Sequence, residues 1–437
     1  MLSFLLVNPP IYDFSAYDFW MKPIGLLILE SILKASGHQV YFFDFMDRKS
    51  PYYSDEERKK IKDKIGGTGK FYFEEVPKPR IYSSIKRKYK RYGLKLKHFE
   101  KFLKDIEDPD FIFISQTMTY WYLGTFEVVD FLKKKYPFSR VIIGGVAANL
   151  LGDFFYSNSN VDYVLSCQNL KELVYKLNKL GIPLKKIEKL NDTNYFDLSK
   201  YKNCEYTIIL TRLGCPFNCS YCAQKKLFSE IDEYSIEKVY EFILSEYERG
   251  IRHFAFYDDA LLFNFKVHLK KLLDKLKKSN LKGAKFYAQN GVHVRFITKE
   301  VAEYFAELNF KVVRLSLESA NEVFLKKTGF KTSRKEYETA CNYLRESGFK
   351  ERIETYILIG RRDISKKDIE DSVKYVKSCG GLPRYSLYSP VPYSRDFYNV
   401  NKKELLKEPL FHNNSVYSIL DGIFTEEELY ELNKLIK

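Results

Sequence analysis

Three cysteines stand close together on a short stretch that directly follows a predicted buried strand. The strand is Thr207-Ile-Ile-Leu-Thr-Arg212, a β-branched and apolar run. Cys215, Cys219 and Cys222 follow it with the spacing C-x3-C-x2-C. A structural zinc site needs about four protein ligands, usually in two separated pairs, and this stretch holds no histidine or fourth cysteine. Three thiolates on a four-iron cluster would leave one iron open, so the pattern favours an iron–sulfur site.

The composition is that of a globular protein. The chain has 437 residues, of which 45% are apolar and 16% aromatic, enough for more than one domain and a large core. The four cysteines outside the cluster of three are scattered, so no secreted disulfide framework is expected. No apolar run is long enough to span a membrane. A cytoplasmic protein without membrane association is therefore predicted.

The chain carries an excess of positive charge. Its 72 basic and 57 acidic residues give a net charge of +15, which either favours an anionic partner or reflects a lysine-rich solvated surface. Basic residues are concentrated at 46–106, where aromatic residues such as Tyr89 and Phe99 are interleaved with them. Such a segment can bind nucleic acid, but a solvated helix that packs its aromatic stripe is the favoured interpretation.

The first part of the chain alternates predicted strands and helices. The predicted strands are 3–7, 39–44, 111–115, 141–145 and 161–165. This alternation predicts a doubly wound, Rossmann-like parallel sheet over residues 1–180, with the basic segment 46–106 as an insertion. Residues 181–205 are polar without a strong period and are expected to form a linker.

The alternation resumes after the linker. Predicted strands at 207–212, 253–257, 285–289, 312–317, 354–359 and 385–388 are separated by helical stretches. Six successive βα units with right-handed crossovers would form a partial (β/α)6 barrel over residues 206–395. Residues 396–437 are expected to form a small helical C-terminal extension.

Polar residues stand where the predicted barrel strands end. Chemistry in βα barrels is located at the carboxyl ends of the strands. The residues at these ends, after the cysteine stretch, are Asp258, Asp259, Gln289, Asn290, Glu318, Ser319 and Gly360. For the acidic residues, the alternative is a helix N-cap; recurrence on successive strand ends favours ligand contact.

The cysteine stretch, including the aromatic Tyr221 before the last cysteine, resembles the cluster loop of the radical S-adenosylmethionine (SAM) superfamily. The resemblance implies a 4Fe-4S cluster held by Cys215, Cys219 and Cys222. It also implies reductive cleavage of SAM to a 5′-deoxyadenosyl radical. By position in the family pattern, the implied SAM contacts are Tyr221, Asp258, Asp259, Gln289, Glu318, Ser319, Ile359 and Gly360. This chain has Asp-Asp where the family often has Gly-Gly-Glu, so the carboxylate that meets the SAM amine is left open between Asp258 and Asp259.

The first half resembles the cobalamin-binding domain fused to many radical SAM enzymes. The resemblance rests on Asn8-Pro-Pro, on Gly144-Gly145 and on the segment Thr117 to Tyr122. The implied cobalamin contacts are Pro9, Thr117, Met118, Thr119, Tyr120, Gly144 and Gly145. The family motif Asp-x-His-x-x-Gly does not occur in the sequence, so cobalamin is expected in a His-off mode. The alternative is a domain that kept the fold and lost the cofactor.

Three functions remain open from the sequence. The favoured one is a radical SAM enzyme that methylates or rearranges an unactivated carbon of a small molecule, with cobalamin. The second is modification of RNA or protein without cobalamin. The third is a non-catalytic iron–sulfur or cobalamin-binding protein, which the acidic strand ends disfavour. The radical mechanism implies an electron donor such as flavodoxin or ferredoxin.

Overall fold

The computed structural model describes residues Met1–Val400 and Lys402–Ile436. The chain divides into two compact units, and neither is continuous in sequence. Unit 1 consists of Met1–Cys204, Lys226–Ser229 and Asn401–His412. Unit 2 consists of the remaining segments, Glu205–Lys225, Glu230–Val400 and Asn413–Lys437. No helix among the described residues is both long enough and apolar enough to span a bilayer.

Unit 1 is built on a parallel sheet of five strands. These are β1 (Ser3–Asn8), β2 (Gln39–Asp44), β3 (Phe111–Ser115), β4 (Arg140–Gly144) and β5 (Tyr163–Val164). Their order in the sheet is β5-β4-β3-β1-β2, so the chain reverses its winding direction between β1 and β3. This is a doubly wound arrangement in which ligands bind outside the carboxyl ends of the strands. The predicted fold class is confirmed.

The central strands of unit 1 are apolar because both faces are covered. Phe4, Leu6 and Phe113 are buried in one cluster with Leu26 and Leu33 of a flanking helix. The helices that follow these strands are Ile24–Ala35, Tyr122–Lys135, Val146–Asn158 and Leu170–Lys179. Gly124 is needed for close packing, because a Cβ at this position would collide with the carbonyl oxygen of Pro10.

The insertion differs from the helix that the sequence predicted for its basic, aromatic part. Its ordered elements are the short helices Asp55–Lys60 and Leu96–Phe102 and the short strands Lys62–Asp63, Gly69–Lys70, Phe73–Glu75 and Lys90–Tyr92. Residues Lys90–Tyr92 form a strand and not a helix, and Tyr89 and Tyr92 are buried. Arg91 is also buried, and its guanidinium is paired with Glu127 at 2.9 Å. The solvated-helix interpretation is therefore wrong for Lys88 to Tyr92, but the helix Leu96–Phe102 agrees with it, since Phe99 is buried there while Lys97 and Lys101 are exposed.

The segment 181–205 contains a single turn of 3-10 helix, Leu190–Asp192. It is nevertheless packed onto unit 1 through buried side chains that include Ile182, Phe196 and Tyr201. The Tyr201 hydroxyl donates to the Asp44 carboxylate at the end of β2, at 2.8 Å.

The last part of the chain returns to unit 1 before it ends in unit 2. The Leu410 carbonyl accepts from the Tyr82 hydroxyl at 2.7 Å, and Glu408 accepts from the Tyr122 hydroxyl at 3.0 Å. The His412 imidazole lies 3.0 Å from the Thr119 hydroxyl. The helices of this part are Lys402–Lys407, Tyr417–Leu420 and Glu426–Leu435. The predicted extension is therefore helical in part. Its residues Asn401–His412 belong to unit 1, and the residues after them belong to unit 2.

Unit 2 is built on a parallel sheet of six strands whose order in the sheet equals their order in the chain. They are β6 (Tyr206–Ile209), β7 (His253–Phe256), β8 (Lys285–Val292), β9 (Phe310–Glu318), β10 (Arg352–Ile359) and β11 (Leu382–Leu387). Helices between the strands are Gln224–Leu227, Ile236–Glu248, Leu269–Lys278, Lys299–Glu307, Glu322–Lys327, Arg334–Glu346 and Lys366–Ser378. This sequential order is that of the predicted partial barrel.

Candidate cluster and cofactor site

The three cysteines lie on a loop at the carboxyl end of β6. The loop begins after a short antiparallel pairing of Arg212-Leu213 with Asp232-Glu233 and ends at the helix Gln224–Leu227. Gly214 has φ of +89°, and a Cβ there would lie 2.6 Å from the Glu230 carbonyl oxygen. Only glycine fits at this start of the loop.

The environment of the thiols differs from one cysteine to the next. Cys219 is buried, Cys215 is half-buried and Cys222 is exposed. Desolvation by surrounding protein atoms raises the pKa of Cys215 and Cys219, and raises that of Cys222 to about 11. The described residues contain no group of three His, Cys, Asp or Glu side chains close enough for one metal ion. A cubane places each thiolate on a different iron, so its ligands stand farther apart than those of a single ion. Three cysteines on one loop fit such a cluster, and binding it would displace the thiol protons.

Asp258, at the end of β7, holds the start of this loop. Its carboxylate accepts from the Thr211 hydroxyl at 2.5 Å and from the Thr211 and Arg212 backbone amides at 3.1 and 2.9 Å. The side chain is buried, and burial raises its pKa to about 6. All of these partners belong to the chain itself. Asp258 therefore acts as a brace that fixes β6 and the cysteine loop.

Asp259 differs from Asp258 in that its carboxylate is not bonded to the neighbouring strand end. Burial and the neighbouring charge of Asp258 raise its pKa to about 6, and the Gln224 side chain partly offsets this rise. The charge of Asp259 also contributes to the raised pKa of Cys215 and Cys222. The sequence left Gln224 unnoticed, because a lone glutamine after the cysteines carries no motif. Of the two aspartates, Asp259 is the one aimed at the cysteine loop.

Glu318, at the end of β9, faces the cysteine loop from another side. It is buried and has φ of +70°, a strained conformation for a residue with a side chain. Burial raises the pKa of Tyr221 well above its usual value, and the charges of Glu318 and Cys219 raise it further. The Lys331 ammonium lies 3.5 Å from Glu318, and its charge offsets part of the rise that desolvation causes in the pKa of Cys215 and Cys219. Lys331 was missed because it stands in a loop that no sequence period connects to the strand end.

The helix-cap alternative for the acidic strand ends is wrong. The helix Leu269–Lys278 begins at His268, which makes no side-chain capping bond. The helix Glu322–Lys327 is capped by Asn321, whose carboxamide oxygen accepts from the amides of Val323 and Phe324.

The remaining predicted SAM contacts are mostly engaged within the protein. Gln289 accepts from the Arg314 guanidinium through its side-chain oxygen and its carbonyl. The Ser319 hydroxyl lies 3.5 Å from the Ser372 hydroxyl and accepts from the Asn321 amide at 3.0 Å.

At the end of β10, the groups available for contact with SAM are backbone groups and not polar side chains. Ile359 is buried, and its carbonyl accepts from the Tyr388 amide at 2.9 Å. Gly360 has φ of +86°, and a Cβ there would approach Ser418 to 3.2 Å. This close approach requires glycine at the strand end.

Two further segments of unit 2 hold the cysteine loop. The Ser220 amide donates to the Thr328 carbonyl at 3.1 Å, and the Ser220 hydroxyl donates to Asp396 at 3.1 Å. Asp396 is also paired with Arg361, which makes a bidentate contact with Asp363 at 2.8 and 3.0 Å. The loop therefore has fixed neighbours on both sides of Cys219.

The predicted cobalamin contacts gather near the carboxyl edge of the unit 1 sheet. Gly145 has φ of +88°, and a Cβ there would lie 2.6 Å from the Ser115 hydroxyl. Thr117 and Met118 are exposed, whereas Pro9, Thr119 and Tyr120 are buried. Gly144 is half-buried at the end of β4.

The described histidines of unit 1 are each engaged with protein groups. His38 contacts the Leu2 amide and the Pro183 carbonyl, His98 contacts Glu57, and His412 contacts Thr119. Burial lowers the pKa of His412 to about 4, so the imidazole is neutral at pH 7. The contact of His412 with the predicted cobalamin segment was not foreseen, because 293 residues separate the two positions.

The family comparison agrees with the geometry of unit 2. Residues 209–376 match the sequence model described as the radical SAM superfamily. This stretch begins in β6, includes the three cysteines and ends within the helix that follows β10. The chain therefore contains a radical SAM domain over these residues. The predicted resemblance to this superfamily is confirmed for the barrel part of the chain.

Known proteins extend the likeness beyond this domain. An uncharacterized methyltransferase of Pyrococcus horikoshii is 24% identical over 245 residues, which cover 54% of this chain and 51% of that protein. The match thus spans about half of that relative's length. Among solved structures, the radical SAM methyltransferase TsrM of Kitasatospora setae, with tryptophan and a SAM analogue bound, has a TM-score of 0.67 at 14% identity. That likeness covers 93% of this chain and 77% of TsrM. The cobalamin-dependent radical SAM enzyme OxsB gives a TM-score of 0.60 at 14% identity, over 93% of this chain and 56% of OxsB. These likenesses are similarities of fold.

Proposed function

We propose that this protein is a cobalamin-dependent radical SAM methyltransferase of a small molecule, with its cluster held by Cys215, Cys219 and Cys222. The observation that supports this most is the loop of three cysteines at the carboxyl end of β6, with Asp259, whose charge acts on the Cys215 and Cys222 thiols, at the end of the neighbouring strand β7. When bound, the cluster would supply the electron that cleaves the sulfonium of SAM into methionine and a 5′-deoxyadenosyl radical. The protein's own part is to position SAM and to exclude water.

The Asp259 carboxylate is the proposed partner of the SAM ammonium. The Asp258 carboxylate accepts from the neighbouring strand end, whereas among the described residues the Gln224 side chain is the hydrogen-bonding group that acts on Asp259. A half-buried carboxylate gains from a cationic partner. An ammonium in this position would also stand next to the cysteine loop, as chelation of the open iron requires.

The pair of Glu318 and Tyr221 is the proposed contact for the ribose and adenine of SAM. The Lys331 ammonium lies 3.5 Å from the Glu318 carboxylate, whose oxygens can accept from ribose hydroxyls. The backbone at Ile359 and Gly360 is the proposed surface for adenine. Gln289 and Ser319 are better explained as positioning residues, because their polar atoms are already engaged.

Substitution of Asp259 tests this assignment. Asp259→Asn is expected to weaken SAM binding about tenfold, since a hydrogen bond to a charged group contributes about 1.5–3 kcal/mol. Iron content should not change, because Asp259 is not a proposed cluster ligand. SAM affinity is measured by equilibrium titration of the anaerobically reconstituted protein. Asp371→Asn, an exposed carboxylate on the helix Lys366–Ser378, is the matched control. Equal SAM affinity in the two variants would remove Asp259 from the site.

The carboxyl edge of the unit 1 sheet is the proposed cobalamin site. Support comes from the doubly wound order of the strands, the glycine turn at Gly145 and the exposed Thr117 and Met118. Cobalamin, when bound, would carry the methyl group that is transferred. The engaged state of His38, His98 and His412 supports binding without a histidine on cobalt.

Corrinoid retention tests this part of the proposal. Protein purified from cobalamin-fed cells is expected to contain about one corrinoid per chain, since the proposed edge forms one site. Its paramagnetic spectrum in the Co(II) state should lack nitrogen hyperfine splitting from a histidine. Gly145→Val, which would place side-chain atoms against Ser115, should abolish retention while leaving iron content unchanged. A wild-type protein that retains no corrinoid, either from cells or after incubation with hydroxocobalamin, would exclude the methyltransferase and leave a radical SAM enzyme.

A further inference from the structure

A thin loop covers Cys219 on its outer side. Gly329 lies against the cysteine loop so closely that a Cβ on it would be 3.2 Å from the Asn218 carbonyl oxygen and 3.5 Å from the Cys219 Cα. Gly329 is itself exposed, whereas Cys219 is buried. On this side, a single residue therefore separates a proposed cluster ligand from the surface.

The residue next to this cover presents an aromatic ring to solvent. Phe330 is 42% exposed and has φ of +48°, so its side chain points outward from a tight turn. The turn is fixed because the Phe330 amide donates to the Leu325 carbonyl at 2.8 Å. Arg295 donates to the Phe330 carbonyl at 3.0 Å and places its guanidinium 5.7 Å from the ring. The exposed Phe330 ring therefore belongs to an ordered turn.

Further cationic residues lie close to Gly329 in space or in the chain. Arg395 donates to the Asn218 carbonyl at 2.9 Å, and Lys327 reaches Asp363 at 3.0 Å. Lys326 is exposed on the same short helix, just before the cover. Arg295 is paired with Glu336 at 2.8 Å and Lys327 with Asp363 at 3.0 Å, so the charges of these two cations are balanced. Among the described residues, Lys326 and Arg395 have no carboxylate within ion-pair distance and supply the excess positive charge. We call the set of Arg295, Lys326, Lys327, Gly329, Phe330 and Arg395 the 330 surface.

We infer that the 330 surface docks a small acidic one-electron carrier protein, such as a flavodoxin or ferredoxin, which reduces the cluster. In this step the carrier loses one electron and the cluster gains it. The inference rests on the proposed function, because it requires the cluster at Cys219. An aromatic anchor within a polar, charged rim is the usual anatomy of a protein interface. A rim of one charge attracts a partner of the opposite charge and speeds the encounter.

An affinity measurement with a flavodoxin tests this inference. The holoenzyme of Lys326→Glu combined with Phe330→Asn is expected to bind an oxidised acidic flavodoxin about tenfold more weakly than wild type at low ionic strength, from charge reversal and loss of the ring. Asn is chosen at position 330 because it tolerates positive φ. The matched control is Lys278→Glu, an exposed lysine at the C-terminus of the helix that precedes β8. The control should retain wild-type affinity.

A second readout separates this inference from the proposed function. Cluster reduction by dithionite, followed by its paramagnetic signal, is expected to be unchanged in the variant, while reduction by reduced flavodoxin slows about tenfold. Wild-type protein that dithionite cannot reduce would refute the cluster itself. A normal dithionite reaction together with unchanged flavodoxin affinity and rate would refute only the docking surface. Loss of RNA affinity in the variant, with flavodoxin binding intact, would assign the surface to RNA instead.

Discussion

Replacement of Cys215, Cys219 and Cys222 by Ala together is expected to remove essentially all cluster iron. The wild-type protein, reconstituted without oxygen, should hold about four irons per chain, because a cubane contains that number. The triple variant should hold almost none, since the other cysteines lie elsewhere in the fold. Iron and sulfide assays, together with the visible absorbance of the cluster, provide the measurement.

A single substitution away from the loop controls for the loss of a thiol. Cys167 lies in unit 1, where its amide donates to the Asn149 side chain at 2.7 Å and its thiol is not needed for that bond. Cys167→Ala should therefore retain the wild-type iron content. Iron retained by the triple variant would show that the cluster assignment is wrong.

Substitution of Asp258 is expected to destabilise unit 2 strongly. Asp258→Ala leaves the Thr211 hydroxyl and the amides of Thr211 and Arg212 without their acceptor in the protein interior. A buried donor left without a partner costs about 1–3 kcal/mol, so we expect a loss of about 3 kcal/mol or more in the free energy of unfolding. Denaturant unfolding of the metal-free protein measures it without interference from the cluster.

The same variant separates a brace from a ligand contact. Asp371→Ala removes a carboxylate from the exposed face of a helix and should leave stability unchanged. If metal-free Asp258→Ala is as stable as wild type and yet loses SAM affinity, then Asp258 contacts SAM and the brace interpretation is wrong. Together with the Asp259 variant, this experiment resolves the ambiguity of the Asp-Asp pair.

The sheets could be predicted from the sequence because their strands are fully buried. The run Val312 to Leu317 was predicted as a strand and lies within β9, which the structure extends to Phe310–Glu318. Continuous β-branched and apolar runs, separated by helical periods, have few alternatives to parallel strands. The insertion was harder, because its strands of two or three residues are too short for a period to be read.

The candidate site could be predicted only in part, because side-chain direction, and not strand length, was the missing information. The sequence places polar residues at strand ends, but the direction of a side chain there depends on packing. Asp258 turns back to Thr211 because β6 and β7 are paired with Ile209 opposite Phe256. A short helix and a turn separate Lys331 from Glu318 in the chain, and no sequence pattern indicates that the two side chains meet.

The return of the chain to unit 1 has a consequence for biosynthesis. Tyr82, Thr119 and Tyr122 obtain their partners Leu410, His412 and Glu408 only when the last tenth of the chain is made. Although domains usually fold in the order of synthesis, the N-terminal unit of this chain cannot complete its packing while the ribosome is still translating the barrel. Its final folding step therefore waits until residues 408–412 have been translated. A nascent chain stalled near residue 400 would leave the hydroxyl of Tyr82, which is buried in the finished protein, without its acceptor.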